Sequence, residues 1–205
     1  MNNSNFEKLS TLDKLKLEIR LKAKSGVDFI LAASIVWFVV FLIWKFTNNT
    51  SYEKSIFTFI LSAILLPLAL VFSKILKTTW KIKGNKLQPL GLWLNFAQLI
   101  YFPFLIFILI KNSDYFIMAY AIITGAHLFP YAWFYDEIGY AVVAVIISVA
   151  ALLIALFVQP INIFYVPLFT SLILLLLASW IFASHKKLKK TLYISTSNNL
   201  LNKVK

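Results

Sequence analysis

Tyr120, Thr124, His127 and Tyr131 recur at intervals of four, three and four residues inside an otherwise apolar stretch. Gly91, Asn95 and Gln98 recur at intervals of four and three in the apolar stretch before it. Side chains so spaced stack on one face of an α-helix. An imidazole can take up or release a proton near neutral pH. Amides and hydroxyls can each donate and accept hydrogen bonds. These two faces therefore suit a polar pocket for a ligand, a proton or a substrate. Asp28, Asp136 and Glu137 lie at the ends of apolar runs and are expected to rim it. Two plainer readings stand beside this one. A Gln–His or Asn–Thr hydrogen bond between helices holds bundles together and is worth about 0.6–2 kcal/mol, and Asp136-Glu137 also suits a solvated turn.

The elements that carry these faces are too apolar for a soluble domain of 205 residues. Apolar residues make up 60% of the chain and charged residues only 14%, with a mean hydropathy of +0.81. Soluble domains hold about 45–50% apolar and about 25% charged residues. Six apolar runs fall at about 28–46, 55–76, 90–110, 115–134, 138–158 and 163–184. Each approaches the roughly 20 residues that cross a hydrocarbon core. Backbone amides in lipid must be satisfied internally, so the runs are expected to be helices. The run Leu172-Ile173-Leu174-Leu175-Leu176-Leu177 lacks the alternation of a barrel strand. The expected fold is all-α, a polytopic membrane protein of six transmembrane helices, with short connections that make successive helices antiparallel neighbours.

Residues 1–27 form a basic preface. Ser4 and Glu7 have the spacing of a capping box. Leu9, Leu12, Leu15 and Ile19 then recur among Lys8, Lys14, Lys16, Arg20, Lys22 and Lys24, the pattern of an amphipathic helix on a membrane surface or of a solvated helix. Lys74, Lys77, Lys81, Lys83 and Lys86 follow the second run, and Lys186, Lys187, Lys189, Lys190, Lys203 and Lys205 occupy the tail over 185–205. A six-span arrangement puts all of these on one side and leaves Lys45, Lys54 and Lys111 on the other, which makes both termini cytoplasmic and suits a bacterial inner membrane. Anionic headgroups are the expected partners of this basic face. The tail around Ser195, Thr196, Ser197, Asn198 and Asn199 is expected to be partly disordered.

With that orientation the helical rise places Gln98 and His127 each roughly 12 Å from the same membrane boundary, with Asn95 a turn nearer to it. Gly125-Ala126 permits a close helix approach just before His127. Pro67, Pro103, Pro130 and Pro167 can each kink a span. The aromatics Trp37, Trp44, Trp80, Tyr101, Trp133, Phe134 and Tyr135 suit interfacial belts and core packing, with an aromatic ligand box as the sharper alternative.

Other chemistry is excluded or unsupported. The chain has no cysteine, so thiolate metal sites, iron–sulfur clusters and thiol catalysis are ruled out. A lone His127, with His185 far off in the tail, is no metal site, and no motif calls for a cofactor. No G-x-S-x-G, P-loop or H-E-x-x-H occurs, so nothing favours an enzyme. The net charge of +12 comes without a groove-reading motif, so no nucleic-acid partner is expected.

The run Asn95-Phe96-Ala97-Gln98-x-x-Tyr101-Phe102-Pro103, with Ile122-Ile123-Thr124-Gly125-Ala126-His127-Leu128-Phe129-Pro130-Tyr131-Ala132-Trp133-Phe134-Tyr135 after it, resembles a family of small bacterial multi-pass membrane proteins of unknown function. The resemblance covers most of residues 15–185 and implies a shared six-span fold, with no catalytic role to carry over. Two functions remain open from the residues. One is a small-solute or ion transporter or channel with Asn95, Gln98, Thr124 and His127 along its path. The other is a non-transporting protein that binds a lipid, a small ligand or a partner.

Overall fold

In the computed structural model, residues 10–203 are described, with side chains through Ile194. The capping pair Ser4 and Glu7 lies outside this range. The first helix, α1 (Thr11–Lys22), is instead capped by Ser10, whose hydroxyl accepts from the Asp13 amide at 3.1 Å. Then come α2 (Val27–Phe46), α3 (Ser51–Ser62), α4 (Leu65–Leu76), α5 (Gln88–Leu99), α6 (Phe102–Lys111), α7 (Phe116–Phe134), α8 (Gly139–Phe157) and α9 (Tyr165–Lys203). Among the described residues there is no strand.

Six helical segments are long and apolar enough to cross a membrane: Lys24–Phe46, Ser51–Leu76, Gln88–Lys111, Ser113–Phe134, Gly139–Phe157 and Pro160–Ile194. The fold is therefore all-α and polytopic, as the six apolar runs imply. The second and third spans are each broken in two. Proline explains both breaks, because it has no N–H for residue i−4 and its ring crowds that carbonyl. Pro67 stands four residues after Ala63, where α3 ends, and Pro103 stands four after Leu99, where α5 ends. Pro130 lies within an unbroken α7 and Pro167 in the opening turn of α9, so neither interrupts a span.

The packing core is the first, fourth, fifth and sixth spans. α7 packs along α8, α8 along α9 and α9 along α2. Gly125 is what lets α7 and α8 close up: a Cβ there would stand 2.6 Å from Ser148 Oγ and 2.9 Å from the Ala144 carbonyl oxygen. α2 and α9 are joined by a reciprocal pair, with Ser34 Oγ donating to the Ser171 carbonyl at 3.0 Å and Ser171 Oγ donating back to the Ser34 carbonyl at 2.8 Å.

The expectation that all successive helices pack as neighbours needs one correction, at the second and third spans. α3 meets α6, but α4 turns onto α2 and α5 onto α7. The two halves that follow the proline breaks toward the termini therefore lean on different parts of the bundle. α5 has no buried residue and α6 only Leu105, so the third span presents most of its surface outward.

One end of the bundle gathers α1, the 77–87 connection, the α7–α8 turn and the later part of α9. α1 packs against this end, with Ile19 buried. Asn85 Nδ2 donates to the Leu15 carbonyl at 3.0 Å and to Glu18 Oε2 at 2.8 Å. Lys16 Nζ lies 3.5 Å from the centre of the Trp133 ring. α9 runs on as helix to Lys203.

Candidate functional site

A cavity of about 290 Å³ is lined mainly by the first four spans, with Tyr140 of the fifth and Leu174 of the sixth. Gly91, Asn95, Gln98, Tyr120, Thr124, His127 and Tyr131, all seven residues singled out by spacing, line it, and so does Asp28. Of the other residues expected at its rim, Glu137 is not among the lining residues, and neither is Asp136. The Asp136 side chain is 76% exposed, and its carboxylate lies 3.3 Å from Arg20 Nη1.

How these groups meet differs from the interhelical bonds that the sequence suggests. Among the described residues Gln98 and His127 do not bond each other, nor do Asn95 and Thr124. Asn95 Nδ2 donates to the Gly91 carbonyl of its own helix at 3.1 Å. Thr124 Oγ1 donates to the Tyr120 carbonyl of its own helix at 2.9 Å. The tie between the third and fourth spans is Tyr131, whose hydroxyl donates to the Gly91 carbonyl at 3.3 Å. A Cβ at position 91 would stand 3.0 Å from the Phe134 ring, so a larger residue there would push that ring aside by a few tenths of an ångström. His127 packs edge-on against Tyr131, ring centres 5.3 Å apart. Gln98 and His127 thus present uncommitted polar atoms to the cavity.

The floor nearest the termini is built by residues whose role the spacing argument missed. Asp28, expected at an open mouth, is 1% exposed. It accepts three hydrogen bonds: from Thr78 Oγ1 at 2.5 Å, from Trp80 Nε1 at 2.7 Å and from the Phe29 amide at 3.1 Å. Trp80 also stacks on Phe29 with ring centres 4.6 Å apart. The same strap is tied down by Gln88, whose Nε2 donates to the Trp80 carbonyl at 2.5 Å and whose Oε1 accepts from the Ile82 amide at 3.2 Å. A lysine-rich connection in the sequence is thus a folded lid over the cavity. Its legible signal was Trp80 and Gln88 set among lysines, residues that a merely solvated loop does not need.

A second network lies beside the cavity at the same end. Glu137 is 5% exposed, which corrects the solvated-turn reading for this residue. Its carboxylate accepts from Arg20 Nη2 at 3.0 Å, Ser184 Oγ at 2.5 Å and Trp180 Nε1 at 3.0 Å. Arg20, from α1, therefore fastens the preface to the α7–α8 turn and to α9. Asp136 adopts φ 49°, the conformation that reverses the chain between α7 and α8. Glu18 on α1 is held below its ordinary pKa of 4.5, first by the hydrogen bond from Lys22 and then by that from Asn85.

The far end of the cavity is closed by aromatics. Phe59 meets Phe102 edge-on at 5.1 Å and Phe116 at 5.7 Å, while Tyr120 donates to Ser62 Oγ at 2.6 Å. Phe116, Leu105, Ala119 and Ile123 form a buried apolar cluster separate from the main core, with Phe59, Phe102 and Tyr120 packed against it.

This fold and cavity define a multi-pass helical membrane protein. The chain belongs to a family of unknown function, DUF7010, whose pattern matches residues 12–184. No curated protein and no solved structure matches the chain.

Proposed function

We propose that this is a non-transporting membrane protein that binds a small ligand in the cavity lined mainly by its first four spans. The single observation that carries this reading is the closure beyond Tyr120: the cavity lining stops at Trp37, Ser62 and Tyr120, and beyond it Phe59, Phe102, Leu105, Phe116, Ala119 and Ile123 pack as an apolar cluster. A solute path needs polar or water-accessible groups along its whole length, since uncompensated polar groups are costly in hydrocarbon. The asymmetry of lysine and arginine favours a cytoplasmic position for both termini, and hence for the cavity, in a bacterial inner membrane. The basic preface and tail suit contact with anionic headgroups of that leaflet. Asn95, Gln98, Thr124, His127, Tyr131 and Asp28 form the binding wall in this reading, and Asp136 serves α1 docking instead.

The alternative is a small-solute or ion transporter. It draws on the breaks before Pro67 and Pro103, since interrupted helices are found at transporter binding sites. Thermal unfolding of wild type and His127→Gln against small-ligand and lipid panels tests the binding reading, because a ligand of the folded state raises the melting point by mass action. A ligand that stabilises wild type, loses that effect in His127→Gln and shows no flux into proteoliposomes supports binding without transport. Protein-dependent accumulation of that ligand overturns it in favour of the carrier.

A further inference from the structure

We infer that the cavity selects an organic cation carried on an apolar tail, which reaches it sideways from the membrane between α4 and α5. This rests on the ligand-binding reading above and adds the ligand's charge and its route.

The charge follows from the composition of the wall. In a chain of net charge +12, the cavity is lined by one carboxylate, Asp28, and by no lysine or arginine. Among the described residues no ion pair includes Asp28, and its three hydrogen-bond donors are all neutral. Lys24, close by on the chain, gives its ammonium to the Leu76 carbonyl and is near enough to be attracted by Asp28, without forming an ion pair with it. The carboxylate, offset by Lys24 only at a distance, favours a positive group in this low-dielectric space, where charge interactions are strong. Facing the same space is a trio of tyrosines. The ring centres of Tyr131 and Tyr135 are 5.7 Å apart, of Tyr131 and Tyr140 5.9 Å, and of Tyr135 and Tyr140 5.6 Å. These rings pack on one another, and the aromatic wall they form, together with Asp28, favours an alkylammonium group over an anionic head, which Asp28 would repel.

The route follows from how the second and third spans part. α5 lends the cavity wall Gly91, Leu92, Asn95 and Gln98, whereas α4 lends only its first residue, Leu65. α4 packs on α2 and α5 on α7. Leu70 of α4, and Leu92, Phe96 and Leu99 of α5, are exposed apolar side chains flanking this divergence. A tail too long for the cavity of about 290 Å³ would leave through that side.

The test is calorimetric titration of the full chain in dodecyl maltoside with decyltrimethylammonium, decyl sulfate and decanol, three probes sharing one tail. Wild type is compared with Asp28→Asn and Asn95→Lys. Asn95 is exposed and bonds only within its own helix, so Asn95→Lys is expected to keep the wild-type melting point while placing a cation at the opening. Saturable binding of the cation, at least about tenfold tighter than that of the other probes, and weakened about tenfold by Asn95→Lys, supports the inference. Asp28→Asn should show the same loss where it folds. Equal binding of all three probes, or cation binding indifferent to Asn95→Lys, overturns it. Saturable binding of decyl sulfate or decanol alone, altered by Asn95→Lys, overturns the cation assignment and leaves the cavity a ligand site. Binding of none of the three overturns the cation assignment, and the ligand-binding reading then stands or falls by the thermal-unfolding panel alone.

Discussion

Trp80 donates its indole N–H to Asp28 across 2.7 Å, joining residues 52 positions apart in the chain. That bond makes the 77–87 connection part of the cavity wall. Trp80→Phe keeps an aromatic ring, though a smaller one, to stack on Phe29 but removes one donor from a buried carboxylate, a change expected to cost about 1–3 kcal/mol. Hydrogen exchange should locate the effect, with faster exchange over the connection and unchanged exchange in α8. Uniform destabilisation of every helix would show that the strap is no separate unit.

The two carboxylates of the α7–α8 turn should behave very differently. Glu137→Gln leaves Arg20 without its buried partner, and breaking one side of a buried pair costs about 3 kcal/mol or more. Asp136→Asn removes an exposed partner of the same guanidinium and should cost about 0–1 kcal/mol. Thermal unfolding of the two variants in one detergent compares them directly. Equal losses would contradict the network as described.

Gly125→Ala should be among the most damaging single-methyl additions, because the new carbon would meet the backbone oxygen of Ala144 at 2.9 Å as well as Ser148 Oγ at 2.6 Å. Overpacking of this kind costs about 1–3 kcal/mol. Adding Ser148→Ala relieves only the hydroxyl contact, so the double variant should recover part of the loss. Full recovery would mean that α7 and α8 can separate freely.

Lowering the pH should loosen α1 through Glu18. Its folded-state pKa lies below the ordinary 4.5, so its contribution is present above that value and is lost as the pH falls through the lower folded-state value. The group is partly exposed and the effect is small. Hydrogen exchange in α1 between about pH 3 and 6 should accelerate on acidification in wild type, and less so in Glu18→Gln.

The membrane fold was legible because twenty-residue apolar runs leave few alternatives in a bilayer. The two polar faces were legible for a related reason. The helical period fixes which side chains share a face, and the rise fixes their depth. Asp28 and Glu137 were placed by position at the ends of spans, but position does not reveal burial. Their partners, Thr78 and Trp80 for one and Arg20, Trp180 and Ser184 for the other, come from distant segments that no period relates. Thr50 shows the converse. It sits in a sequence with glycosylation-like spacing, yet it caps α3 in a reciprocal pair with Glu53, a local signal visible in Thr-x-x-Glu.

The breaks before Pro67 and Pro103 should be what keeps the cavity open. Each proline deletes a hydrogen bond to the preceding turn, and α4 and α5 diverge from there onto α2 and α7. Replacing both by alanine restores two backbone donors and favours straight spans. Straightened spans would bring α4 and α5 toward each other and close the side opening. The natural absence of cysteine allows spin labels at Ile75 and Trp93, both exposed, without background. Dipolar distance measurements should show a shorter separation in the Pro67→Ala, Pro103→Ala protein than in the parent, together with weaker binding of decyltrimethylammonium. An unchanged separation would assign the divergence to the packing of α4 on α2 and α5 on α7, with the prolines only accommodating it.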